Sequence, residues 1–258
     1  MQIHLTKSMW QPMGLTTLSS RSAGTGEPLM MEVQIKRGSI KTLQLTGQYN
    51  PVTDSLNFDL TVDKLRMDIA NPFVNDDLQD VKGLATGNVS IRGTRKDPLL
   101  NGNILMQKAS FIIDYLNTRF SFTHNVVITP DAFTVTDMKM LDDEGHIGHV
   151  TGAIRHQKFE NLSLDFEVDF TNFVLLNEVE SRNEGYWGRA YATGVGTIKG
   201  PLESMTIDVS AKTSANTKFF IPVYTTDEAA KMDFITYVER PKDDVEVDLL
   251  ARLQILRP

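Results

Sequence analysis

The sequence has no cysteine. That excludes disulfides, thiolate metal sites and cysteine nucleophiles, and it leaves the redox compartment open, because a cysteine-free chain suits either side of a membrane. Long apolar runs are missing too. The stretch from Phe173 to Leu176 is far short of the roughly 20 residues that a membrane-spanning helix requires. Met1 to Trp10 lacks an apolar stretch of about 7 to 15 residues and a small-residue cleavage site, so it does not read as a signal peptide. Positive charge is in deficit, with 26 Lys and Arg against 33 Asp and Glu and a formal net charge of -7. No basic run offsets that balance, which argues against nucleic acid as a partner. No G-x-S-x-G, P-loop or H-E-x-x-H pattern occurs. The chain therefore reads as a non-enzyme, with no catalytic residues and no cofactor. Trp10 and Trp187 are the only tryptophans, too few for the aromatic platform of a sugar-binding sandwich.

What is present is alternation. With 41% hydrophobic residues the chain can bury a sizeable core, and those residues fall at period two. Leu56, Phe58, Leu60 and Val62 alternate with Asn57, Asp59, Thr61 and Asp63, which places an apolar row on one side of a strand and a polar row on the other. Leu162, Leu164, Phe166, Val168 and Phe170 do the same, as do Val89 with Ile91, Phe120 with Phe122, Ile207 with Val209, and Val245 with Val247 and Leu249. Turn signals separate these runs: Asn50-Pro51, Asp97-Pro98, Asn101-Gly102, Thr129-Pro130-Asp131, Asp142 to Gly145, and Gly200-Pro201. Short strands joined by short turns pair antiparallel, because parallel neighbours need long crossovers. Two short helices are predicted, one from Asn71-Pro72 towards Asp80 and one near 225–238, where Thr225 and Glu228 form a capping box.

The chain also repeats. ATGNVSIRG (Ala85 to Gly93) returns as ATGVGTIKG (Ala192 to Gly200), with five of nine positions identical. Upstream, TGQY (Thr46 to Tyr49) and LNFDLTVD (Leu56 to Asp63) return as TGAI (Thr151 to Ile154) and LSLDFEVD (Leu162 to Asp169), at offsets of 105 and 106. A repeat of strands with one apolar face must close into a barrel, pack as a sandwich, or extend as an array with an open trough.

Asp142, Asp143, Glu144, His146 and His149 form the one cluster with ligand-like chemistry. On a strand, residues three apart face opposite ways, so the two histidines do not share a metal, and a solvated hairpin tip is expected. The acidic pairs Asp59/Asp63 and Asp165/Asp169 read as the wet side of strands. Gly87, Gly93, Gly194 and Gly200 recur in the repeat and are expected to serve turns or bulges.

The blocks ATGNVSIRG, DPLLNGNILMQKASFIIDYLNTRFSF (Asp97 to Phe122), YATGVGTIKGP (Tyr191 to Pro201) and KFFIPVYTTDEAAKMDFITYV (Lys218 to Val238) resemble the C-terminal region of the TamB family, the translocation and assembly module subunit, in the form typical of Bacteroidota. That family is similar to the AsmA-like, bridge-like lipid-transfer proteins. The resemblance implies an all-β fold, an elongated antiparallel sheet curled into an apolar trough (a β-taco) with one or two short helices. It implies a periplasmic part of an inner-membrane-anchored envelope protein, with the anchor and further chain outside these residues. It also implies phospholipid transport between inner and outer membrane, with acyl chains and a TamA-like barrel of the Omp85 class as partners, or, alternatively, a scaffold or chaperone for outer-membrane protein assembly and secretion by strand augmentation. The expected organisation is a partly ordered segment at 1–32, a first β-groove repeat at 33–150 and a second, truncated one at 151–258. The expected groove lining is Leu56, Phe58, Leu60, Val62, Val89, Ile91, Leu164, Phe166, Val168, Ile207 and Val209, with no metal site.

Overall fold

The computed structural model describes residues 16–21, 27–37, 40–73, 78–180, 185–222 and 250–253. They form one antiparallel sheet of fourteen strands. The strands are β1 (Thr16–Arg21), β2 (Leu29–Arg37), β3 (Ile40–Asn50), β4 (Ser55–Arg66), β5 (Leu78–Thr94), β6 (Asp97–Ile113) and β7 (Thr118–Thr129). They continue through β8 (Ala132–Leu141), β9 (Ile147–Gln157), β10 (Glu160–Glu178), β11 (Trp187–Pro201), β12 (Thr206–Thr213), β13 (Lys218–Phe220) and β14 (Leu250–Leu253). Each strand from β1 to β12 pairs with the next in sequence; β14 then adds to β12, and β13 extends the β12 side by pairing with β11. β1 and β14 do not pair with each other, so the sheet stays open. The trough-forming all-β architecture expected from the sequence is the one observed.

Local chemistry accounts for the connections. Asn50 turns the chain by accepting from the Val52 and Thr53 N–H groups at 2.9 and 3.2 Å, an Asx turn. The Asn71-Pro72 helix is not observed as expected. A 3-10 helix spans Met67–Phe73 instead, and the Asn71 amide is committed to β5, accepting from Val81 N–H at 2.9 Å and donating to Val81 O at 3.3 Å. The helix expected near 225–238 and the run Val245 to Leu249 lie outside the described residues, as does most of 1–32.

Asn101-Gly102 is also not a turn; both residues sit within β6. Gly102 lies opposite Val89, where an added Cβ would come 2.1 Å from Asn88 O. This glycine serves close strand approach rather than chain reversal. The same holds for Gly87 and Gly194 inside β5 and β11, whereas Gly93 and Gly200 have φ of 88° and 108° beside connections and fit the expectation. Gly152 shows the constraint most clearly. A Cβ there would meet Asp165 O at 2.3 Å and Phe166 Cδ1 at 2.6 Å, so Gly152→Ala is expected to lower stability by about 1–3 kcal/mol through overpacking, measured by chemical denaturation.

The blocks that recur in the sequence fall on strands with matching pairing, with one adjustment. They occupy β3, β4 and β5 and return in β9, β10 and β11. Phe58 lies opposite Gly47 on one side and Ile91 on the other, and Phe166 lies between Gly152 and Ile198 in the same way. Phe58 and Phe166 are therefore equivalent, a spacing two residues longer than the sequence blocks suggest. Residues 150 and 151 lie inside β9, whose pairing runs through them to β8 and β10.

Candidate functional site: an apolar trough

Directly opposed residues of an antiparallel ladder share a face, so register traces the inner surface strand by strand. One row runs Val33, Leu45, Leu60, Val89 and Gly102 across β2 to β6. It continues as Ile128, Phe133, Ile154, Leu164 and Gly200 across β7 to β11. No polar side chain interrupts it. At about 4.8 Å per strand the row covers on the order of 40 Å, more than the roughly 30 Å hydrocarbon thickness of a bilayer. The opposite face is its reverse: Glu32, Thr46, Asp59, Ser90 and Asn101 stand in line, with Arg92 reaching Asp59 at 2.7 Å.

The expected lining residues all lie on the inner side. Phe58, Val62 and Val89 are buried, and Leu56, Leu60, Ile91, Leu164, Phe166, Val168, Ile207 and Val209 are half-buried. Register joins them, Phe58 to Ile91, Phe166 to Ile207 through Ile198, and Val168 to Val209 through Gly196. Sequence reasoning missed the deepest part. Val126, Val135, Met138 and Val150 form one buried cluster, and Phe120, Phe170, Phe173 and Ala192 form another. In the second, Phe120 of β7 stacks on Phe173 of β10 at 5.5 Å, so two strands that are not neighbours in the sheet meet. The signal was weak because Val135 and Met138, and likewise Phe170 and Phe173, stand three apart and break the period of two.

The acidic turn between β8 and β9 explains that meeting, and it corrects the expectation of a solvated tip. Asp142 is 5% exposed. Its carboxylate accepts from the N–H groups of Val174, Glu144 and His146 at 2.8, 2.9 and 2.9 Å and from His146 Nδ1 at 2.8 Å. Burial pushes this carboxyl up, but the Val174, His146 and Glu144 hydrogen bonds outweigh burial and hold it below the usual carboxylate range. Val174 is fully buried, so Asp142 fastens the short β8–β9 hairpin beneath the far end of β10. Arg189 of β11 adds ion pairs to Asp143 and Glu144 at 2.9 and 3.1 Å, and Asn117 donates to Asn177 O at 2.8 Å. His149 turns away to Asp137 at 2.5 Å, so the two histidines have separate partners. Among the described residues, no group of three or more His, Asp or Glu is arranged to hold a metal.

The assembly is thus a one-layer sheet with a dry concave side, fastened along one rim by a buried carboxylate. The model of the TamB C-terminal domain family matches residues 136–255. Over that stretch the chain belongs to the TamB family. The match begins in β8 and includes the second copy of the repeat; the first copy lies outside it, in the same sheet, with a glycine, a phenylalanine and an isoleucine opposed in the same way. No curated protein matches the chain, and no solved structure does. TamB proteins are envelope proteins, and no described helix here is long and apolar enough to cross a membrane.

Proposed function

We propose that this chain is part of a TamB-like envelope protein whose concave face carries phospholipid acyl chains between the inner and outer membrane. The observation that supports this reading is the unbroken apolar row from Val33 to Gly200. A lipid tail of about sixteen carbons loses roughly 0.8 kcal/mol per CH₂ when it enters water. Isolated pockets would leave it exposed between stops, whereas opposed apolar positions on successive strands keep it covered throughout. Such a surface is also unfavourable when empty, because contiguous apolar patches above a few hundred Å² are unusual on soluble proteins. In this reading the segment is periplasmic, the membrane anchor lies in another part of the protein, and neither a catalytic step nor a cofactor takes part. Native mass spectrometry of the purified chain should detect retained phospholipid; a protein that is always lipid-free opposes the proposal.

A second reading is favoured by the open edges. Among the described residues β1 and β14 each pair on one side only, and such an edge can add a strand from a partner. In that role the chain would act as a scaffold for outer-membrane proteins beside an Omp85-class barrel. A crosslink from an edge strand to a barrel substrate, with the trough free of lipid, would favour it over transport.

A further inference from the structure

Among the described residues, eleven other than glycine have positive φ, and four of them, Lys64, Lys108, Asp137 and Asn172, all at φ near 50°, share one arrangement. They fall on β4, β6, β8 and β10, every second strand. Each donates its backbone N–H to a threonine hydroxyl on the following strand, to Thr86, Thr123, Thr151 and Thr193 at 3.0, 2.9, 3.0 and 2.9 Å. The strand pairing slips at each of these places. They are one device used four times, a β-bulge whose displaced amide is satisfied by a side chain because the ladder no longer presents a carbonyl to it.

The sequence around each bulge follows from the geometry. Two polar residues stand between two apolar ones: Val62-Asp63-Lys64-Leu65, Met106-Gln107-Lys108-Ala109, Val135-Thr136-Asp137-Met138 and Phe170-Thr171-Asn172-Phe173. The extra residue keeps both apolar positions on the concave side, so Val135 and Met138 share one buried cluster and Phe170 and Phe173 share the other. Glycine follows the threonine in three of the four units. At Gly87, Gly152 and Gly194 an added Cβ would come within 2.1, 2.3 and 2.2 Å of a carbonyl oxygen on the next strand. Bulges bend a strand and raise its local twist, and glycine beside them lets the neighbouring backbone close in.

We propose that Thr86, Thr123, Thr151 and Thr193 are clasps that hold the sheet bent into a trough, and are thereby positioning residues for the ligand of the concave face. The ligand half of this inference rests on the acyl-chain reading; the clasp half does not. The repeating unit of the fold is then the bulged two-strand hairpin, shorter than the long repeat visible in the sequence.

The test compares two quadruple variants of the full chain at these positions. Thr→Val keeps the shape and removes the acceptor, while Thr→Ser keeps the acceptor. Hydrogen exchange at the amides of Lys64, Lys108, Asp137 and Asn172 and phospholipid retained in native mass spectrometry are both read. The valine variant should exchange about tenfold faster at those amides and retain several-fold less lipid, with serine restoring both. Unchanged exchange in the valine variant, or equal losses in the valine and serine variants, overturns the clasp. If the wild-type chain retains no lipid, the acyl-chain reading fails and exchange alone decides the clasp. Should the quadruple valine variant not fold, Thr151→Val read at the Asp137 amide decides it on the same criteria.

Discussion

Asp142→Ala lowers the unfolding free energy by about 3–5 kcal/mol. The substitution strips the partner from three backbone N–H groups, those of Glu144, His146 and Val174, and Val174 has no exposure through which water could replace it. Asp142→Asn retains an acceptor oxygen and should lose less. The two also differ in their response to acid. Because the folded carboxyl sits below its unfolded value, its contribution is fully present above the unfolded pKa of about 3.9 and fades as pH falls through the folded value. Wild type therefore has an acid-dependent loss of stability below about pH 4 that Asp142→Asn lacks. Denaturant midpoints of the three proteins between neutral and acid pH check this; parallel profiles for wild type and Asp142→Asn would contradict it.

Leu60→Asp and Phe166→Asp each abolish phospholipid retention, a loss of at least about tenfold, because an acyl chain passing a carboxylate must strip it of water at a cost of several kcal/mol. Thr61→Asp, one position along β4 on the convex face, leaves retention unchanged. Leu60 and Phe166 are half-buried and can turn a charge towards water, so these variants keep the fold. Phe58→Asp is different. Phe58 is 7% exposed, so a carboxylate there has no path to water and damages folding and binding together. Loss of lipid in the two milder variants with intact near-ultraviolet circular dichroism separates the effects.

Much of the sheet was legible because β4, β10 and β12 alternate cleanly over their exposed lengths, and a one-residue slip would invert every side chain. The alternation failed as a guide where bulges intervene. The apolar rows were followed only to Val62 and Phe170, yet β4 and β10 continue past the bulges at Asp63-Lys64 and Thr171-Asn172. The two-residue error in matching the copies of the repeat arises in β10, whose pairing also slips between Phe170 and Phe173. Glycine misled at Gly102 because local sequence does not distinguish a turn from a position crowded by the next strand. Asp142 was misjudged for a different reason: its burial depends on Val174, far along the chain, and on strand ends of unequal length. Period two alone placed the rows of β4 and β10 on one face, while the aromatic contact of Phe120 with Phe173 needed the curl of the sheet.

The central claim is that the concave face, and only that face, meets lipid. Photocrosslinking amino acids placed at Leu60 and Phe166 on the inside and at Thr61 and Glu167 on the outside, followed by activation in cells carrying labelled phospholipid, test it most directly. The account predicts lipid adducts from the two inner positions and none from the two outer ones; adducts from both faces alike, or from neither, would contradict it.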